Sequence, residues 1–405
     1  MFSRISLLIF STSLFCLSAP GLASEWSGYV SSEFRGFAQS PADARQHGNN
    51  LSLSAQPEYF TDWDNGQQSL TFVPFARWDE NDDERSHVDI RELTWLKAAE
   101  DWELRVGIRK VFWGVTESQH LVDIINQTDL VEAIDGEEKL GQPMINLALI
   151  RDWGTLDLFV LPGFRERTFP GVHGRLRSIS PVDTDQAIYE SSDENKHIDV
   201  AARYAHYIGD WDFGLSYFNG TSRDPHFIPG LNSKSQPVFI PKYYLIEQWG
   251  LDLQATLGDW LWKLEAINRS GQPDLSGQQK TYTALTAGFE YTLVGIAESN
   301  MDLGLIAEYL YDDRGKNAPT PFADDFMLGS RLTLNDEQST DFLLGIIFDS
   351  NDNTRMFSLE SNRRLGADWK ISLEGRAFIN IPNTDLLLGG MRRDNYLQLE
   401  LARYF

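Results

Sequence analysis

Three groups of residues have the types and the spacing to do chemistry. The first lies in residues 113–129, where Trp113, His120, Asp123, Asn126 and Asp129 stand among the apolar Leu121, Val122, Ile124 and Ile125. Polar groups held at short spacing by an apolar frame could line a narrow aqueous passage. The second is Arg165, Arg167, Arg175 and Arg177, with His173 among them. Clustered guanidinium groups bind phosphate or carboxylate through paired donors, or else they pair with neighbours such as Glu166 and Asp183. The third is a set of charges alternating with apolar residues along strand-like segments: Arg105, Arg109, Lys263, Glu265, Lys370, Glu374 and Arg376. Alternation puts all of them on one face.

None of these groups reads as a catalytic centre. The seven histidines are scattered without metal-ligand spacing, and Gly-x-Ser-x-Gly is absent. The acidic runs 79–84 and 349–353 lack the glycine and distal glutamate of a calcium loop, so they read as solubilising charge. No enzyme activity, metal or cofactor is expected. With 59 acidic against 35 basic residues and a formal charge of −24, the chain lacks the basic face that a nucleic-acid partner requires.

The elements that must position these residues are strands. At the carboxyl terminus, Leu397, Leu399, Leu401 and Phe405 share one parity, and Gln398 and Glu400 take the other. One greasy face, one wet face and a final aromatic fit a strand that pairs back to the first and leaves no edge in lipid. The alternative is an edge strand of a soluble sandwich. Alternating segments recur from 26–38 to 395–405, about eighteen in all, with sixteen as the alternative count. The even-numbered connections are short and the odd ones mostly long (113–143, 163–196, 220–242, 312–325, 380–394), as in barrels inserted from one side. Asp-Trp recurs at the short turns, giving Trp63, Trp102, Trp153, Trp211, Trp260 and Trp369. Tryptophan favours the boundary between hydrocarbon and headgroups, so these six predict an aromatic girdle. The preceding aspartates are expected to cap the turns.

From these anchors the faces follow. Trp260, Trp262, Leu264 and Ala266 look into lipid while Lys263 and Glu265 look inward; Trp369, Ile371 and Leu373 look out while Lys370, Glu374 and Arg376 look in. The inward face is expected to be charged with both signs. Glu92 interrupts the apolar face of 86–98, read as Val88, Ile90 and Leu96. The expectation is therefore an all-β antiparallel transmembrane barrel over 24–405, with short periplasmic turns and long outer loops. It is preceded by a signal peptide over 1–23: Arg4, an apolar run over 5–17 holding the single Cys16, then small residues. Without a further cysteine, no disulfide framework is expected.

The connection after the fifth alternating segment, 114–142, holds too many apolar residues for a solvated loop. It is expected either to fold inward as a constriction, with a short helix capped by Thr116 or Ser118 and running through Val122 to Ile125, or to form a lid on neighbouring loops.

Residues 107–114 (Gly-Ile-Arg-Lys-Val-Phe-Trp-Gly), Asp123-Ile124-Ile125-Asn126 with Asp129-Leu130, and 161–171 (Leu-Pro-Gly-Phe-Arg-Glu-Arg-Thr-Phe-Pro-Gly) resemble stretches of a poorly characterised proteobacterial group of porin-like Gram-negative outer-membrane barrels. That group is distantly related to alginate-export channels. The resemblance covers about a third of the chain and implies an outer-membrane channel or exporter. Arg403 departs from the usual closing strand, where a second apolar or aromatic residue is common. Partners expected on this reading are lipid, lipopolysaccharide phosphates at the arginine cluster, the barrel assembly machinery and a small solute, with the chain a monomer or a homotrimer. Three functions compete: a channel for passive diffusion of small or extended solutes, an exporter component for a hydrophobic or polyanionic product working with periplasmic partners, and a plugged structural or adhesive barrel.

Overall fold

The computed structural model describes residues 23–405. The leader expected over 1–23 falls, but for its last position, outside the described residues. Eighteen strands form one sheet. They are β1 (Ala23–Phe37), β2 (Asn49–Trp63), β3 (Gln68–Asp79), β4 (His87–Ala98), β5 (Trp102–Arg109), β6 (Gln142–Arg151), β7 (Gly154–Pro162), β8 (Ile198–Ile208) and β9 (Trp211–Thr221). Then come β10 (Leu245–Leu257), β11 (Trp260–Ser270), β12 (Tyr282–Leu293), β13 (Asp302–Asp312), β14 (Asp324–Thr333), β15 (Asp341–Asp349), β16 (Arg355–Leu365), β17 (Trp369–Ile379) and β18 (Tyr396–Tyr404). Each pairs antiparallel with its neighbour in sequence, and β18 pairs with β1 from Tyr29↔Tyr404 to Phe37↔Tyr396. The sheet is a closed barrel of eighteen strands, so each strand has a neighbour on both sides.

Closure works because the two parities differ. Leu397, Leu399 and Leu401 on β18, Leu51 and Leu53 on β2, and Phe326 and Leu328 on β14 are exposed, forming an outward apolar belt. Apolar surface of this extent is stable only against hydrocarbon. The six girdle tryptophans sit at the short-turn ends of their strands. Trp260 stacks on Trp262 with ring centroids 5.6 Å apart and packs on Tyr291 at 4.6 Å. A second aromatic set nearer the long loops, with Trp249 on Tyr217 at 4.7 Å and Tyr309 on Phe326 at 4.9 Å, carries no Asp-Trp signal.

Four local expectations change. The aspartates of the Asp-Trp turns do not cap through their carboxylates; instead the carbonyls of Asp101, Asp210, Asp259 and Asp368 accept N–H bonds from Ile150, Thr256, Thr292 and Tyr404 on adjacent strands. They extend the ladder by one rung. Glu92 is explained by a bulge: Val73 pairs with Glu92 but Pro74 pairs with Ile90, leaving Arg91 unpaired. The extra residue reverses parity, so Val88 and Ile90 face out before it, Leu93 and Trp95 after it, and Leu96 turns inward. Arg403 lies outward with its guanidinium 5.8 Å from the centre of the Trp369 ring. A cation over an indole fits the girdle level. The β9–β10 connection is not plain loop: His226–Leu231 pairs with Pro237–Tyr243, which runs parallel to Ile188–Tyr189 of the β7–β8 connection.

Candidate functional site

β5 ends at Arg109, and the chain turns into the lumen. The predicted helix from the Thr116 or Ser118 cap through Val122 to Ile125 is absent; residues 110–127 run without helix. The reason is where the N–H groups go. Glu265, inward on β11 and 0 % exposed, accepts from the Val115 and Thr116 amides (2.7 and 3.0 Å), the Thr116 hydroxyl (2.7 Å) and the Val122 amide (3.1 Å). Glu308 on β13 accepts from the Glu117 and Ser118 amides (2.7 and 2.8 Å) and the Ser118 hydroxyl (2.5 Å). Two wall carboxylates thus hold the amides of 115–118, and Glu265 also takes the Val122 amide that a helix would have used internally. A buried carboxylate survives desolvation only with such a full set of donors.

Apolar packing fixes the same loop. Val122, Ile124 and Ile125 are buried against Met144, Phe159, Phe218, Ile246 and Ile267, all inward residues of β6–β11. Each such side chain contributes roughly 1.5–3 kcal/mol on burial. The expectation of an inward face charged throughout therefore fails on this side of the barrel, where the outer half of the lumen is an apolar core. Trp113 packs edge-on to Phe159 at 5.8 Å. Asp123 accepts from the Trp113 and Gly114 amides (2.7 and 3.0 Å), and Asn126 bridges the Val111 amide to the Arg109 and Leu140 carbonyls. Both scaffold the loop. His120 lies 2.9 Å from Glu137 and 3.6 Å from Glu265. Burial disfavours its charge, but bonding to these two carboxylates prevails and lifts its pKa to about 10.

The loop then crosses to the opposite wall. Asp129, fully buried, pairs with Arg91 at 2.6 Å; Glu132 pairs with Arg77 at 2.8 Å; Asp135 pairs with Arg376 of β17 at 2.8 Å. Arg85 joins Glu33 and Asp79 in the same network. The β7–β8 connection lies over it. Thr168 donates to Asp129 (2.7 Å) and Arg167 to Gln127 (3.1 Å). Its four arginines are already engaged, and not by Glu166 or Asp183: Arg165 pairs with Asp89, Arg167 with Asp224, Arg175 with Asp394 and Arg177 with Asp43. They tie this connection to a strand and three other loops. Arg175 and Asp394 are both nearly completely buried, so the cluster as folded is a clasp more than a free anion site.

The predicted inward residues divide between two settings. Arg105 and Arg109 both donate to Asn146, and Lys263 lies 3.7 Å from Glu117 under the loop. Glu265 is the loop's anchor rather than a wall of open water. Glu374 and Arg376 on β17 pair with each other at 3.4 Å, and Lys370 lies nearer the turn end of the same strand. Two charges that sequence reasoning passed over belong with them: Arg331 on β14, 38 % exposed, and Glu360 on β16, 40 % exposed. Their signal was the same parity rule, on strands that carry no Asp-Trp anchor at their starts.

The site is thus a barrel lumen crossed by one loop, dry against β6–β12 and wet against β14–β17. An all-β closed antiparallel barrel with an apolar belt and aromatic girdles is a transmembrane barrel. It is a protein of the bacterial outer membrane. No protein-family model matches the chain, and no curated protein does. Among solved structures it is similar to Pseudomonas aeruginosa OpdO, at a TM-score of 0.52 and 11% identity over 94% of this chain and 96% of that one. It is also similar to Vibrio cholerae OmpT (TM-score 0.45, 9% identity, 96% and 99%) and to a mutant of the Rh. blastica porin (TM-score 0.45, 10% identity, 95% and 100%). At these identities the likeness speaks for the fold alone, and the OpdO match carries it.

Proposed function

We propose that the chain is a channel for passive diffusion of small polar solutes, with the β5–β6 loop setting the size cutoff and the path running along β14–β17. The supporting observation is the contrast in exposure of inward charges: Arg331 and Glu360 keep more than a third of their surface, whereas Glu265 keeps none. Charged side chains facing a lumen that keep their exposure are solvated, and a continuous solvated stripe conducts ions. Charges of both signs along it make selectivity weak and tunable.

Planar-bilayer conductance of the refolded protein tests the reading, with and without residues 114–142. A small wild-type conductance that rises about tenfold on deletion supports it, since removing the loop empties most of the cross-section. A wild type that never conducts, with a deletion variant that does, turns the reading over in favour of a plugged structural barrel.

A further inference from the structure

The barrel wall is interrupted at one place. β5 stops pairing with β4 at Leu93↔Ile108 and turns inward after Arg109, so among the described residues no strand lies beside 87–92 on that side of β4. Gly107, at φ 137°, approaches the Leu93 carbonyl so closely that a Cβ would lie 1.9 Å from it. That approach marks where the regular ladder ends. On the other side of β4, Arg91 is bulged. One ladder further, pairing of β2 with β3 lapses between Ala55↔Ala76 and Tyr59↔Phe72. Pro57 and Pro74 fall in that lapse, and neither has an N–H to donate.

These defects converge on a concavity of about 690 Å³. Pro57, Pro74, Val88, Ile90, Ile108 and Pro143 line it, and Val88 is 82% exposed. Trp78 lies on its loop side and Trp102 on its turn side, so it opens within the apolar belt. Its floor is different in kind. Asp89 faces inward there, and Arg165 reaches in from the β7–β8 connection, donating to Asp89 and to the Gly141 carbonyl at 2.8 Å each. Arg165 stays 30 % exposed. Backbone without a ladder partner is not stable against hydrocarbon, and it persists at this depth only beside protein, water or a ligand that satisfies it.

We propose that this is a lateral site for a single-chain amphiphile with an anionic head, entered from the membrane. The chain lies between the prolines and the Val88 and Ile90 side chains, and the head takes Arg165 in competition with Asp89. Apolar walls select the tail, and a half-open guanidinium at the end of them selects a carboxylate. The site is distinct from the axial path proposed above, which runs along β14–β17.

Fluorescence titration of the refolded full chain in non-ionic micelles, with a long-chain polyene fatty acid as the probe, tests it. Saturable binding is expected. Ile90→Trp fills the groove and weakens binding about tenfold. Arg165→Gln weakens the fatty acid by a similar factor but leaves the corresponding long-chain alcohol unchanged, and Asp89→Asn tightens the fatty acid. Equal affinity across the three variants overturns the proposal. So does a co-purified two-chain phospholipid at the site that the fatty acid does not displace. Loss of the axial channel reading would leave these affinities untouched, and unchanged affinities would leave conductance untouched, so the two failures are separable.

Discussion

The inner faces of β6–β12 and of β14–β17 are built on the same two-residue alternation but end in opposite states. On β6–β12 the inward positions toward the loops are Met144, Phe159, Ala201, Phe218, Ile246, Ile267 and Ala284, which cannot stay wet and are covered by Val122, Ile124 and Ile125. On β14–β17 the buried apolar inward positions toward the loops shrink to Met327 and Phe378, and deeper in the lumen stand Arg331, Glu360, Glu374 and Arg376, which the loop reaches through Glu117 and Asp135. Alternation decides which side chains leave the lipid. The chemistry of the inward set decides whether the space they enter is filled or flooded.

The comparison can be broken hardest from the dry side. Ile124→Asp places an uncompensated charge in the apolar core, at a cost of about 3–5 kcal/mol. The expected outcome is expulsion of the loop, seen as protease cleavage within 114–142 and a conductance close to that of the deletion variant. A protected loop and wild-type conductance would mean that the apolar contact does not hold it. Glu265→Gln is expected to act in the same direction but less, since the amide keeps the size and loses the charge that several donors share, at about 2–3 kcal/mol. Flickering conductance is the readout, and a quiet wild-type trace counts against the anchor.

From the wet side, Arg331→Gln is expected to move the reversal potential toward cation preference, by about twofold in permeability ratio. Arg223→Gln, buried beside Asp199 on the dry side, serves as the control that leaves it in place. The smallest effect expected is on pH. His120 holds its proton more strongly when folded than its ordinary value of 6.5, up to about 10. Its contribution is therefore complete below pH 6.5 and is lost as pH rises through about 10. Glu137 is more than half exposed, so solvent weakens the pair and the loss is small. More frequent loop opening between pH 9 and 11 in the wild type, absent in His120→Gln, is the measurement.

Much of this was legible in the residues. The outward leucines of β18, the six tryptophans and the inward Lys263, Glu265 and Arg376 follow from parity alone, because lipid imposes one rule on every strand. Glu92 was not legible, since a single bulged Arg91 inverts the count without any mark except the nearby Pro74. Nor was the absence of a helix through 122–125: Glu265, which takes the Val122 amide, and Glu308, which takes those of Glu117 and Ser118, stand more than a hundred residues away. The arginines were found but their partners were not, for the same reason. Charge pairing across loops is set by the closed circle, and local sequence says nothing about which loops meet.

The clasp formed by Arg175, Arg177 and Arg167 has a consequence for whatever approaches from outside the cell. The segment it fastens is the roof, and the β5–β6 loop beneath it touches that roof through Thr168 and Asp129. An antibody, a phage tail or a protease therefore meets 163–177 before it meets any part of 113–129. On the channel reading proposed above, surface recognition and control of the bore fall to two separate storeys, so variation in the upper one can proceed while the lower one is kept.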